Sequence, residues 1–152
     1  MLRMSKMADY GTVVMTAMAR SPDRVHSAGD LAAQVHLPAP TVSKILKMLA
    51  RHELLESVRG AKGGYTLARP PAAITVAEII DAMEGPIAIT ECSSAASACE
   101  QEGSCSVRAN WRTINRAIRS ALNDVSLAEM VHPRLHAVDF GALRARRMEA
   151  KC

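Results

Sequence analysis

The chain has 152 residues, of which 49% are hydrophobic and only 3% aromatic, and its formal net charge at pH 7 is +4. That length allows one compact domain with a short appendage, and the scarcity of aromatic residues favours a mainly helical fold over a β-sandwich. No apolar stretch reaches the roughly eighteen residues that a membrane span needs, and the N-terminus lacks the apolar block of a secretory signal. We therefore expect a soluble, cytoplasmic protein with no membrane partner.

The charge is unevenly distributed along the chain. Residues 1–69 carry a net charge of +5, residues 70–107 carry −6 without any Lys or Arg, and residues 108–152 carry +5. A basic first part is the expected footprint of a polyanion such as DNA, although a mixed solvated surface gives the same excess. The acidic middle part is not expected to contact phosphate.

The first part of the chain predicts three helices. Apolar residues at helical spacing predict a helix over residues 4–20, and Ser27 is a typical N-cap for a short second helix that ends near His36. Pro40 suits the first turn of a third helix. Two short helices joined by a tight turn, the second with a polar and basic outer face, form a helix-turn-helix. The candidate DNA-binding residues on that face are Thr41, Ser43, Lys44, Lys47 and Arg51.

A glycine-rich turn at residues 60–64 joins two strand-like runs and predicts a β-hairpin. A hairpin directly after a recognition helix is a wing, and Arg59 and Lys62 at its tip complete the candidate DNA-binding set, because an arginine there can enter a narrow minor groove. The glycine run does not match a phosphate-binding loop, since it lacks the Gly-Lys-Ser/Thr ending. No nucleophile and base are paired, so we assign no catalytic residue, no enzyme activity and no small-molecule substrate.

Three cysteines lie close together after the next helix. A capping box at residues 75–78 predicts that helix, and Gly85 ends it. Thiolates so close together need a positive partner, which an iron–sulfur cluster or a zinc ion provides; bare redox-active thiols are the alternative. The five histidines form no ligand-spaced pair with the cysteines, so we expect solvated or capping roles for them. The three cysteines are Cys92, Cys99 and Cys105.

Residues 106–130 predict a long helix with one apolar seam of about three heptads. A helix of this kind in a small protein typically packs on its symmetry mate, so we expect a homodimer. From Pro133 the periodicity is lost, and a basic tail over residues 131–152 ends at Cys152, to which we assign no ligand role. The candidate dimer-interface residues are Val107, Trp111, Ile114, Ile118 and Leu122.

Several segments together resemble the Rrf-type bacterial winged-helix regulators. They are the wing SVRGAKGGYTLARPP, the following ITVAEIIDAMEGPI and the three-cysteine segment. The segments LPAPTVSKILKMLA, GPIAITEC and CSVRANWRTINRAI are most similar to the branch that regulates Suf-type iron–sulfur assembly. The resemblance covers residues 1–130 and implies a winged helix-turn-helix over 1–84, a cluster-binding segment over 85–105 and a dimerisation helix region over 106–130, before the tail at 131–152.

The resemblance also implies a homodimer that binds a palindromic operator under the control of an iron–sulfur cluster, with [2Fe–2S] favoured and [4Fe–4S] as the alternative. The three loop cysteines would hold the cluster. The Isc-type regulator takes its fourth ligand from a histidine at the position of Arg108, which cannot serve. The nitric-oxide-sensing repressor uses an aspartate from the partner's first helix, and Asp9 matches it. Glu100, Glu102, a water molecule or a small thiol remain alternatives.

The resemblance leaves three functions open. The first is a regulator of Suf-type assembly genes that senses cluster supply. The second is a nitric-oxide-sensing or redox-sensing repressor of the same family. The third is a cluster-independent thiol switch that acts through protein contacts.

Overall fold

The structure, a computed structural model, describes residues 3–93 and 104–132, with the side chain of Cys92 outside the described part. Cys99, Glu100, Glu102 and the tail from residue 133 lie outside it as well. The described chain is mainly helical with one two-stranded hairpin, as predicted. Its elements are α1 (Lys6–Ala19), α2 (Ala28–Val35), α3 (Ala39–Arg51), β1 (Leu55–Val58), β2 (Gly64–Leu67), α4 (Val76–Glu84), α5 (Arg108–Asn123) and α6 (Leu127–Val131), with 3₁₀ turns at Pro71–Ala73 and Glu91–Ser93.

Local hydrogen bonds define where the helices begin. The hydroxyls of Ser5 and Ser27 each accept a hydrogen bond from the amide three residues later. Thr75 and Glu78 form the predicted capping box, in which the Glu78 carboxylate accepts from the Thr75 amide at 2.8 Å. Burial alone raises the pKa of Glu78, but hydrogen bonds from Thr75 and Arg69 outweigh this effect and hold the pKa below its usual value.

The helix-turn-helix packs on α1 and α4. Helix α3 contacts α1, α2 and α4, and its fully buried side chains are the predicted apolar stripe of Val42, Ile45, Leu46 and Leu49. Gly11 of α1 allows a close approach to α4, because a Cβ there would lie 2.8 Å from Cγ of Met83. Helix α4 is therefore the element that connects the DNA-binding helices to the rest of the chain. None of the helices in the described part is long and apolar enough to cross a membrane.

The wing is anchored by a third backbone partner. Strands β1 and β2 are antiparallel, and His26, which lies before α2, pairs with Tyr65 on the other edge of β2. The His26 amide donates to the Tyr65 carbonyl at 2.8 Å, and the Tyr65 amide donates to the His26 carbonyl at 2.9 Å. His26 is buried, with its Nε2 3.0 Å from the Ser21 carbonyl oxygen, so the prediction of a solvated or capping role is wrong for this histidine. The capping role is found at His36, His52 and His132, the C-caps of α2, α3 and α6.

We predict that Gly64→Ala destabilises the wing. A Cβ at Gly64 would overlap the His26 carbonyl, which is backbone and cannot move without breaking the bridge to Tyr65. The expected loss is about 1–3 kcal/mol in the free energy of unfolding, measured by urea denaturation. Gly29→Ala is the control, because its Cβ would meet nothing closer than Oγ of Ser27 at 4.0 Å. If both variants unfold at the same urea concentration, the anchoring of the wing is wrong.

Helix α5 is shorter than the predicted seam and leaves the first half of the seam exposed. Its 16 residues span little more than two heptads, so Val107 is the N-cap and Val125 lies beyond the helix. Trp111 is 37% exposed and Ile114 43% exposed. The buried side chain of this helix in the described chain is instead Asn115, which is 9% exposed. Ile118 and Leu122, later in the seam, are half-buried, so the exposed apolar surface of this helix lies in its first half, at Trp111 and Ile114.

Candidate nucleic-acid interface and cluster site

Four of the five candidate DNA-binding residues on α3 lie together on the outward face of this helix. Lys44, Lys47 and Arg51 are exposed and Ser43 is half-buried, and all four line one groove of about 380 Å³. Thr41 is half-buried and does not line that groove. Two further residues line the groove and were not predicted from the sequence, and they place apolar surface among the cations. These are Pro40 and Met48.

Arg59 and Lys62 lie in the turn between β1 and β2, and both are exposed. The turn is closed by glycines: Gly60 has φ +118°, and a Cβ at Gly63 would lie 2.5 Å from the Val58 carbonyl oxygen. Because the strands are held by the bridge to His26, the two cations are carried on a supported projection and not on a loose loop. A basic helix face and a basic wing tip are the two surfaces that a winged-helix protein uses on DNA.

The described parts of the cysteine segment converge on α5. The backbone of Cys92 lies in the turn Glu91–Ser93, which packs against α5, and Cys105 is a free, half-buried residue three positions before that helix begins. Cys99 lies outside the described residues. Within residues 3–93 and 104–132, no three His, Cys, Asp or Glu side chains are grouped to hold a metal ion.

Asp9 lies on the side of α1 that faces away from its own α4. It is exposed and lines a groove of about 370 Å³ to which α2 contributes Gln34 and α6 contributes Met130. Gly11, which faces α4, is roughly 160° away around the helix. Helix α5, which follows Cys105, packs on α4, the helix that Asp9 faces away from.

A polar clamp of three side chains, Asp81, Asn115 and Arg119, fixes the segment that leads into the cysteines. Asn115 Nδ2 donates to the Ile87 carbonyl at 3.1 Å, and its Oδ1 accepts from the Ile89 amide at 3.1 Å. Asp81 accepts from the Ile87 amide at 3.0 Å and pairs with Arg119, whose Nη2 lies 2.5 Å from Oδ2. This clamp was not predicted from the sequence, because a single asparagine beside an apolar seam does not indicate which backbone groups it will bond.

A helix-turn-helix with a basic outer face, followed by a glycine-turned basic wing, defines a DNA-binding transcription regulator of the winged-helix class. The family model of Rrf2, described as an iron-dependent transcriptional regulator, matches residues 4–133. The chain belongs to this family, and it is a regulator and not an enzyme.

Relatives and solved structures agree with this assignment. Over 130 residues the chain is 30% identical to Rv1287 of Mycobacterium tuberculosis, named as an HTH-type transcriptional regulator, covering 85% of this chain and 81% of that one. It is 27% identical to the regulator IscR of Yersinia pestis, with 86% and 80% covered. The structure of CymR, the global cysteine regulator of B. subtilis, superposes with a TM-score of 0.70 at 27% identity, covering 88% and 99%. The T. potens IscR structure gives 0.68 at 26%, covering 94% and 96%.

Proposed function

We propose that this chain is a homodimeric regulator whose operator affinity is controlled by an iron–sulfur cluster, and that it tunes Suf-type assembly genes. The cluster would be held by Cys92, Cys99 and Cys105 together with Asp9 of the partner subunit. The observation that carries the proposal is the environment of α5. This helix follows Cys105, packs against the turn that contains Cys92 and exposes an apolar seam, so cysteines and dimer contact belong to one element.

The DNA-binding part of the proposal follows from the two basic surfaces. In a dimer joined through α5, two α3 helices would read half-sites about one helical turn apart in a palindromic operator. The cations of the α3 groove would contact phosphates, and Ser43 is placed among them where it could reach base edges or the backbone. The exposed Arg59 would enter the minor groove beside each half-site.

The donor set fits an iron–sulfur cluster. Three thiolates are soft ligands, and the segment that holds them, residues 70–107, contains no Lys or Arg that could neutralise them. A bound cluster supplies the positive iron that keeps the thiolates deprotonated and a chemistry that responds to iron supply and oxidants. The family description as iron-dependent and the likeness to IscR support iron over zinc.

Anaerobic purification tests the cofactor directly. We expect coloured protein with visible absorption and matching contents of iron and acid-labile sulfide. The iron-to-sulfide content per dimer then distinguishes [2Fe–2S] from [4Fe–4S]. Colourless protein that contains zinc, or no metal even after reconstitution, would reject the cluster while leaving the DNA-binding assignment intact.

We predict that Arg59→Ala weakens operator binding by about 1–3 kcal/mol at fixed salt. The side chain is exposed at the tip of a supported wing, so its removal should leave the fold unchanged. Fluorescence anisotropy with a labelled operator duplex measures the effect. Arg116→Ala is the matched control, because it removes an equal charge from the exposed surface of α5. Equal affinities for the two variants would remove Arg59 from the interface.

A nitric-oxide or redox sensor is the second candidate, and two observations favour it. Asp9 is exposed where a partner could use it, as the resemblance to the nitric-oxide-sensing repressor implies, and Cys105 is a free, half-buried thiol. Exposure of cluster-loaded protein to nitric oxide in an operator shift assay separates this candidate from an assembly sensor. Operator binding that responds to thiol oxidants without any cluster would instead support the thiol switch.

A further inference from the structure

The polar clamp joins three parts of the chain that the proposed regulation must connect. Asp81 belongs to α4, Asn115 and Arg119 belong to α5, and all three act on residues 87–89, directly before the turn that contains Cys92. The carboxamide of Asn115 pairs with the Ile87 carbonyl and with the Ile89 amide, so one side chain fixes two backbone positions of this segment.

The order of the contacts gives the direction of the segment. Arg119 pairs with Asp81, which accepts a hydrogen bond from the Ile87 amide. Asn115, one turn earlier on α5, bonds the Ile87 carbonyl and the Ile89 amide, which lie further along the segment. The segment therefore runs towards the start of α5, which Cys105 precedes. Only two residues lie between Ile89 and Cys92, a reach of roughly 10 Å at most. A large shift of the Cys92 backbone therefore pulls on the residues that the clamp holds.

The helices on either side of the clamp have different tasks. Helix α4 packs on the DNA-binding helix α3, and α5 carries the seam for the second subunit. In a dimer joined by α5, the angle between α4 and α5 determines the separation of the two α3 helices. The Asp81–Arg119 ion pair and the Asn115 bonds lie across that contact.

A buried polar contact also allows two packed helices to change their relative angle. Apolar side chains that interdigitate resist displacement, whereas a carboxamide can exchange one backbone partner for another or for water at small net cost. An apolar side chain at position 115 would leave the Ile87 carbonyl and the Ile89 amide without this partner, so the hydrogen bonds of Asn115, and not its bulk, hold the segment to α5.

We infer that Asn115 is a positioning residue that transmits the state of the cysteine segment to the angle between α4 and α5, and so to operator affinity. This inference rests on the proposed cluster-controlled function. Asn115 itself contacts neither DNA nor a cluster ligand in this assignment.

The test compares operator affinity with and without cluster. For the wild type we expect the dissociation constants of cluster-free and cluster-loaded dimers to differ by about 10-fold or more, as is usual for allosteric coupling. Asn115→Leu keeps the branched shape of the side chain but removes both hydrogen bonds, and we expect a ratio of about 3 or less. Asn115→Asp keeps the acceptor for Ile89 and loses the donor to Ile87, so an intermediate ratio is expected. Thr113→Ala is the control, because its hydroxyl bonds only within α5 and its side chain is exposed.

Hydrogen exchange provides a readout that needs no cluster. In cluster-free Asn115→Leu the Ile89 amide should exchange about tenfold faster than in the wild type, while core amides of α3 remain unchanged.

The outcomes separate this inference from the function on which it rests. A wild-type ratio near one would overturn both. A wild-type ratio that persists in Asn115→Leu, with normal iron content, would overturn the coupling role alone. If both Asn115 variants lose iron while Thr113→Ala keeps it, Asn115 only places the ligands and the coupling role is likewise overturned.

Discussion

Trp111→Asp is expected to convert the dimer into a monomer and to weaken operator binding by about two orders of magnitude or more. Trp111 is 37% exposed and lies on a seam with Ile114, which is 43% exposed, although both are large and apolar. A carboxylate there would be buried without a partner when two seams pack together, a cost that a small interface cannot offset. A monomer also loses the effective concentration that binds the second half-site once the first is bound.

Two measurements at matched protein concentrations check this prediction. Light scattering after size-exclusion chromatography gives the mass, and anisotropy gives the affinity for a palindromic duplex and for one half-site. Thr113→Asp is the control, since it places the same charge at an exposed position of α5 that lies off the seam. Both variants should keep the wild-type circular dichroism. A Trp111→Asp protein that remains dimeric would show that the seam is not the interface.

The elements that the sequence predicts correctly are those with local physical causes. The Ser27 cap and the capping box at 75–78 act over three residues, so the printed sequence contains both partners. The glycine turn and the basic face of α3 follow from backbone conformation and from a clear apolar stripe. Helix α6 was not predicted although Ser126 and Glu129 carry the same capping-box signal as α4, because a helix of only five residues is too short to show an apolar periodicity.

The features that the sequence could not show depend on distant backbone atoms. His26 is buried because it pairs with Tyr65 of the wing, and no pattern in the sequence marks which backbone groups will need a partner. Asn115 is buried for the same reason, since its partners at residues 87–89 lie 26 to 28 positions away. Polar residues of this kind look like solvated surface in a sequence, and only the fold distinguishes them.

For the proposed cluster site, the clustering of the three cysteines indicates a metal site but does not identify the fourth ligand. Helical periodicity puts Asp9 and Gly11 on opposite sides of α1, and only the packing of Gly11 on Met83 shows which side faces the subunit's own α4. The direction in which Asp9 points is thus a property of the assembled helices. It makes a specific prediction about which subunit supplies the ligand.

We predict that Cys105→Ser abolishes the visible absorption of the anaerobic protein and reduces its iron to background. A serine hydroxyl at this position is a poor ligand for a centre that needs thiolates. Operator affinity should then no longer respond to reconstitution with iron and sulfide. Cys152→Ser is the control, because that thiol lies outside the cluster of three, and it should keep wild-type iron content. Wild-type iron in Cys105→Ser would contradict the assignment.

Mixing two inactive chains extends this prediction to the fourth ligand. Cys105→Ser and Asp9→Ala homodimers should each lack the cluster. In a heterodimer of the two, the three cysteines of the Asp9→Ala chain meet the intact Asp9 of the other subunit, so one complete site is restored and about half the wild-type iron returns, provided that one site forms per subunit. If Asp9 acted within its own chain, neither subunit would hold a complete set and no iron would return. Asp9→Ala homodimers with wild-type iron would show instead that the fourth ligand is another group.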